Sequence, residues 1–425
     1  MTETIAIHPT GPLDASIRPP GSKSITNRAL VCAGLAEGDS TLSGALASED
    51  TQVMIDSLRL LGVPVEHDPA TATLGVCGCC GRPPAAGANL FVANSGTTVR
   101  FLTAMVTLGR GRFRLDGSPR MRERPILDLL DALRQLGADA VDELASGCPP
   151  VMVDAAGLPG GKAVVAGSIS SQYLSGLLMA APCAQQAVEL HVEGELVSKP
   201  YIEMTLAVMK AFGVEVTVES LSRFEIPSGQ TYRARQYEIE PDASAASYFL
   251  AAAAITQGRV TVEGLSRRSL QGDVAFADCL ERMGCGVEYA GDRITVTGRR
   301  LHGIKVDMNA ISDTVQTLAA VALLADGVTT ISNVAHIRHK ETDRIGSLAT
   351  ELRKLGAEVD RRDDGLKITP GKLHGAEIDT YNDHRMAMSM ALVGLAVPGV
   401  VIRDPGCTEK TYPEFFGALA GLSGP

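Results

Sequence analysis

Apolar residues along this chain recur in a fixed order: the end of an amphipathic helix, a glycine, then a short β-leaning run. The pattern stands at LRLLGVPV (Gly62), LRQLGADAV (Gly137), MKAFGVEV (Gly213), LERMGCGV (Gly284) and LRKLGAEV (Gly356), in steps of 75, 76, 71 and 72 residues. A glycine in that place predicts a helix closed by a residue at positive φ, which turns the chain into a strand. One such turn is common. Five at near-constant spacing predict an internal repeat. A sixth glycine would fall just beyond the last residue, so the sixth unit is expected to be cut short.

Some 41 to 43 residues before each turn glycine, a polar cluster leads into an apolar helical stretch. These junctions are PPGSKS (Gly21), NSGTT (Gly96), SSQYL (Gln172), PDASAAS (Asp242) and SDTVQ (Asp313), with NDHRMAM (Asp383) in the shortened sixth unit. Small polar residues there satisfy the orphan N–H groups of a helix start. The same ends carry partial positive charge and attract anions. Each junction taken alone is equally readable as a capped core helix.

Alternating strands and helices place the chain in the α/β class, and the repeat count divides it into two lobes of three units. The expected lobes are 21–240, and 241–425 completed by residues 1–20, which read as a strand and a turn. Hinges are expected near 19–21 and 239–242, where Pro19-Pro20 and Pro241 stiffen the chain. The active site is expected in the cleft between the lobes.

Bulk properties narrow the class of function. The 425 residues are 45% apolar and 21% charged, enough for two cores. No apolar run reaches the roughly 18 residues of a membrane span. The first residues lack the basic-then-apolar plan of a signal peptide. Nine cysteines, an odd number, read as reduced thiols of a cytoplasmic protein. A net charge of −10 and the absence of Trp argue against a nucleic-acid partner.

Basic residues gather in a few stretches. PPGSKSITNRAL sets Lys23 and Arg28 around a helix start, without the glycine spacing of an ATP-binding P-loop. DGSPRMRERPI carries Arg120, Arg122 and Arg124, which suit either a solvated surface or a mobile loop that closes on an anion. In HIRHKETDRIGSL a helix is expected to start close to Thr342, putting Lys340, Glu341 and Arg344 at its entrance. An acid between two bases is either a salt-bridged terminus or a proton-transfer group flanked by clamps. NDHRMAM and CTEKTYPEF add Asp383, His384, Arg385 and Lys410. Cys77, Cys79 and Cys80 form a CGCC run with no matching pair at zinc spacing, which reads as a turn. Cys279 and Cys285 read as core residues.

Taken together, PGSKSITNR, NSGTTVRF, DGSPRMRERP, GSISSQYLS, LVSKPYIEMT, DASAASYF, ISDTVQTLA, HKETDRI, NDHRMAM and CTEKTYPEF resemble the EPSP synthase family of enolpyruvyl transferases, in order and over nearly the whole chain. The resemblance implies a two-lobed inside-out α/β barrel, each lobe of three βαβαββ units. It implies transfer of the enolpyruvyl group of phosphoenolpyruvate to the 5-hydroxyl of shikimate 3-phosphate, in the shikimate pathway of aromatic amino-acid biosynthesis. No metal or organic cofactor is implied, and the protein is expected to be a monomer.

By the same resemblance Asp313, Glu341 and Lys23 are the catalytic groups: Asp313 takes the hydroxyl proton, Glu341 protonates the methylene carbon, and Lys23 assists the leaving phosphate. Shikimate 3-phosphate would lie on Lys23, Ser24, Arg28, Ser170, Ser171, Gln172, Ser198, Tyr201, Asp313 and Lys340. Phosphoenolpyruvate would lie on Lys23, Asn94, Gly96, Arg124, Gln172, Arg344, Arg385 and Lys410. Glyphosate is expected to compete with it, because Gly96 leaves room that a larger side chain would fill. His336 stands where many members carry Asn, and Phe101 where Pro is common. The rival readings are the sister transferase acting on UDP-N-acetylglucosamine, whose loop cysteine is missing from DGSPRMRERP, and a non-catalytic protein that binds an anionic metabolite.

Overall fold

The computed structural model describes residues 3–422 and shows a mixed α/β protein. The chain divides into two compact units, Gly21–Ile239 and a second that joins the residues before Gly21 to those from Glu240 onward.

Gly21–Ile239 holds three four-stranded sheets with one strand order. In the first, Gly87–Phe91 runs parallel to Arg110–Asp116, followed by antiparallel Val151–Ala156 and Asp139–Asp142. A helix must link the parallel pair, because a parallel neighbour cannot be reached by a hairpin. Gly161–Ala166, Val188–Glu193, Arg223–Ile226 and Thr217–Glu219 repeat the plan. In the third sheet the parallel edge strand is Gln236–Glu238, from the far end of the unit, laid beside Asp39–Ser43.

The other unit borrows in the same way. Asp14–Ile17 lies parallel to Arg259–Glu263, and Thr4–Ile7 lies antiparallel to Val400–Arg403. The N-terminal segment therefore supplies two strands, not the single strand and turn expected from its sequence. Thr4–Ile7 covers the edge of the last sheet, which has only Glu377–Ile378 on its other side. An uncovered edge there would leave a row of backbone groups unpaired.

Six helices form the cores. In Gly21–Ile239 they are α1 (Lys23–Leu35), α2 (Gly96–Val106) and α3 (Ser171–Ala180); in the second unit, α4 (Ala243–Thr256), α5 (Val315–Ala322) and α6 (His384–Gly394). Every residue of α2, α4, α5 and α6 is buried. Helices apolar on all sides are stable only inside a core. Some of their polar side chains pair across helices. Asn27 donates to Thr97 Oγ1 at 2.8 Å, and the hydroxyls of Ser247, Thr317 and Ser389 form a chain through α4, α5 and α6 at 3.1 and 3.3 Å.

Five amphipathic helices lie outside: Glu49–Leu60, Leu127–Gln135, Lys199–Ala211, Phe276–Arg282 and Arg344–Lys354. All five end in one motif. The amide of Gly62 donates to Arg59 O and that of Val63 to Leu58 O, and Gly137, Gly213, Gly284 and Gly356 repeat this pair of bonds. Their φ values lie between 82° and 109°, where a Cβ would be strained. The periodic glycines of the sequence are these helix ends.

Candidate functional site

The polar junctions do become helix starts. Ser22, Ser95, Ser170, Asp242 and Asp383 each cap a core helix through the side-chain oxygen. The junction at Asp313 differs from the expectation. Residues Asn309–Thr314 form a 3-10 helix, and Asp313 lies in its last turn rather than at the cap of α5. Its carboxylate meets three cations.

In Gly21–Ile239, Lys23 opens α1 with its Nζ 3.2 Å from the buried carboxylate of Asp50. One turn on, Arg28 is fully buried. Its guanidinium donates to Ser24 O, Thr205 Oγ1, Ser175 Oγ and Tyr201 O, and stands 5.2 Å from the centre of the Phe101 ring. Burial pulls its pKa down to about 10, which leaves it charged near neutral pH. Phe101 thus packs under Arg28, and α2 continues unbroken through it.

The arginine run 120–124 separates by depth. Arg120 pairs with Glu123 and Arg122 with Asp116, both partly exposed. Arg124 is buried, at 2% exposure, and donates to Asn94 O and Oδ1 at 2.8 and 3.1 Å. A 3-10 turn at Met121–Glu123 sets this division. Arg100, which sequence reasoning did not place in the site, bonds Gly96 O, Gln172 Oε1 and Pro125 O at 3.1, 3.1 and 2.9 Å. A Cβ at Gly96 would lie 2.4 Å from Arg124 Nη2 and 2.7 Å from Arg100 Nη1, so only glycine lets both guanidinium groups close on that helix start. Ser198 takes φ +53° before the helix that carries Tyr201, and Ser171 is buried in the first turn of α3.

The second unit gathers the acids. Asp383, the α6 cap, is fully buried and holds Arg344 by two hydrogen bonds, at 2.8 and 3.2 Å. The same guanidinium reaches Glu341 Oε2 at 2.8 Å and Asp313 Oδ1 at 3.2 Å. Burial alone would lower the Arg344 pKa, but Asp383, Glu341 and Asp313 together outweigh it and raise it. Asp313 also meets Arg385 at 2.9 Å and Lys340 at 3.7 Å. Arg385 touches the Tyr248 hydroxyl at 3.3 Å, and Lys410 is buried at the end of a 3-10 turn. The helix expected near Thr342 begins at Arg344, capped by Asp343.

Two further groups in this cluster titrate abnormally. Burial and then the Lys340 charge push His336 down to about 4, so its imidazole is neutral. Burial and the neighbouring Asp313 charge push Asp273, hydrogen-bonded by Ser244, up to about 7. Each unit therefore presents a set of clamped cations, and in the second these surround Asp313 and Glu341.

The sequence matches the family model of EPSP synthase (3-phosphoshikimate 1-carboxyvinyltransferase) over residues 7–419. The chain belongs to the EPSP synthase family. A 3-phosphoshikimate 1-carboxyvinyltransferase of Nostoc punctiforme is 52% identical over 406 residues, covering 95% of each chain. The one from Shewanella baltica strain OS155 is 49% identical over 423 residues, covering 99% of each. The solved EPSP synthase of Acinetobacter baumannii superimposes with a TM-score of 0.81 at 26% identity, covering 99% of both chains.

Within this family frame, the family's motifs led to most of the polar groups just described. Asp50 and Asp273 escaped because they stand outside the quoted motifs, and Arg100, although inside NSGTTVRF, because only packing brings it against Gln172. Asp50 had one usable signal, an acid at the start of the first amphipathic helix. Among the described residues, no cluster of three or more His, Cys, Asp or Glu could hold a metal ion, and no helix is long and apolar enough to cross a membrane.

Proposed function

We propose that this chain transfers the enolpyruvyl group of phosphoenolpyruvate to the 5-hydroxyl of shikimate 3-phosphate, releasing phosphate. The observation that carries the reading is the pair Asp313 and Glu341, both hydrogen-bonded to one buried arginine. Two carboxylates fixed in this way suit a reaction that removes one proton and delivers another. Asp313, paired with Lys340, Arg344 and Arg385, takes the hydroxyl proton. Glu341 delivers a proton to the methylene carbon, the hydroxyl oxygen bonds to the adjacent carbon, and a tetrahedral intermediate results. Loss of phosphate, assisted by Lys23, and of a methyl proton then gives the enol ether.

The binding groups divide by chemistry. Lys23, Asn94, Gly96, Arg124, Gln172, Arg344, Arg385 and Lys410 hold phosphoenolpyruvate. Lys23, Ser24, Arg28, Ser170, Ser171, Gln172, Ser198, Tyr201, Asp313 and Lys340 hold shikimate 3-phosphate. In the finer architecture each unit is an inside-out α/β barrel of βαβαββ repeats. Charged hydrogen bonds of this kind contribute about 1.5–3 kcal/mol each, enough for a few to fix a trianionic substrate. The test is phosphate release from phosphoenolpyruvate with and without shikimate 3-phosphate. Release only when both are present is expected; release from neither mixture at any pH rejects the reading.

A further inference from the structure

The three core helices of Gly21–Ile239 end around one cavity. Leu35 closes α1, Leu108 follows α2, and Pro182 lies in the 3-10 turn Ala181–Cys183 that follows α3. Each repeat sends one returning loop across these ends, at 80–82, 156–158 and 229–232. The enclosed volume is about 580 Å³, within the range of small-molecule sites. The starts of the same helices carry Lys23, Gly96 and Gln172. Helix α1 is 13 residues long, which puts the cavity about 20 Å from Lys23.

The cavity carries one sign of charge. Arg82 and Arg110 line it, and no Asp or Glu among the described residues does. The sheet register explains why Arg110 is left over. Arg110, Arg112 and Arg114 stand on one face of the strand Arg110–Asp116. Arg112 lies opposite Asp154 and grips it as a fork, Nε to Oδ1 at 3.0 Å and Nη2 to Oδ2 at 3.2 Å. Arg114 binds Glu143 at 2.8 Å. Opposite Arg110 stands Ala156, another wall residue, which has no carboxylate to offer.

The helix ends do not oppose an anion here. Carbonyls at the end of a helix are partly negative, but protein donors cover them. The amides of Cys79, Cys80 and Gly81, in the CGCC turn, donate to Gly34 O, Ala36 O and Leu35 O at 2.9, 3.0 and 2.8 Å, and the Tyr232 hydroxyl donates to Met179 O at 2.9 Å. Gly157 takes φ +88°, and a Cβ there would lie 2.7 Å from Gln185 Nε2. The glycine thus makes room for a neutral donor on the wall.

We propose that this cavity is a second binding site, for a small organic carboxylate with an apolar body. The carboxylate forks onto Arg110 as Asp154 does onto Arg112, and Arg82 adds a second cation. Gln185 supplies a further donor, and the apolar body rests on Leu35, Leu108 and Pro182.

Cys80 reports occupancy, because it is exposed and lines the cavity, whereas Cys77, also exposed, does not line it. The experiment alkylates the full chain with iodoacetamide at increasing 3-phenylpropionate and follows each cysteine by peptide mass spectrometry. Alkylation of Cys80 should slow about tenfold at about ten times the dissociation constant, with Cys77 unchanged. Arg82→Gln and Arg110→Gln should each raise the protecting concentration about tenfold or more. The neutral amide 3-phenylpropionamide and inorganic phosphate should protect only at far higher concentration, the first lacking the charge and the second the apolar body. No slowing at Cys80, equal slowing at Cys77, equal protection by the amide or by phosphate, or undiminished protection when both arginines are replaced would overturn the proposal.

Discussion

Arg344 and Asp383 form a doubly hydrogen-bonded ion pair, Nε to Oδ2 at 2.8 Å and Nη2 to Oδ1 at 3.2 Å, with both side chains withdrawn from solvent. Asp383 also caps α6 by accepting from the backbone amide of Arg385, so one buried carboxylate holds both the Arg344 side chain and the start of the helix that carries Arg385. Removing one partner of such a pair strands a buried charge. Asp383→Ala should therefore lower unfolding stability by about 3–5 kcal/mol. Urea titration of the two proteins gives the comparison; a loss below about 1 kcal/mol would show that the pair is not structural.

The carboxylates themselves should separate chemistry from binding. Asp313→Asn and Glu341→Gln should each lower kcat by about 10²–10⁴-fold. The double variant should fall short of the product of the two losses, because groups that share one arginine act as a unit. Calorimetric titration with shikimate 3-phosphate should still show binding to Glu341→Gln. Rates within tenfold of wild type would remove these residues from the mechanism.

Gly96 offers a steric test. A methyl group there would displace the ends of Arg124 and Arg100. Loss of one charged hydrogen bond corresponds to about 10–100-fold in affinity, so Gly96→Ala should raise KM for phosphoenolpyruvate by that order. Its inhibition by glyphosate should weaken in parallel, while KM for shikimate 3-phosphate should change little. Steady-state kinetics with each substrate varied in turn will decide.

Stability against pH should expose two opposed groups. His336 is lowered from 6.5 to about 4, so between those values the unfolded chain holds a proton that the folded chain lacks, and its contribution is lost as pH falls. Asp273 is raised from 3.8 to about 7, so there the folded chain holds the extra proton, and its contribution is lost as pH rises. Each slope is about 1.4 kcal/mol per pH unit, with opposite sign, so the two nearly cancel in the wild type. Relative to wild type, His336→Asn should gain stability toward pH 4.5 and Asp273→Asn should lose it. Urea midpoints between pH 4.5 and 6.5 supply the check; parallel profiles for the three proteins would contradict it.

Much of this was legible in the residues. The five turn glycines, the Ser and Asp caps and the apolar core helices follow from bonds that span three to five positions, so the local sequence records them. A helix end needs its own glycine, and a helix start its own cap, whatever the rest of the chain does. The family's motifs, in turn, brought most of the polar groups of the two clusters into view.

Other features depend on which helices stand side by side. Arg344 meets Asp383 across 39 positions, while Arg385 meets Asp313, and Arg100 meets Gln172, across 72. No local pattern distinguishes Arg124, buried on Asn94, from Arg120 and Arg122, which pair at the surface. Nor does one reveal that Thr4–Ile7 completes a sheet with Val400–Arg403. The sequence by itself determined the five glycine-closed helix ends and five of the six core-helix caps, because those are short-range hydrogen-bond requirements. The tertiary structure alone decided which charges face one another, because a buried ion pair is fixed by the packing that excludes water around it.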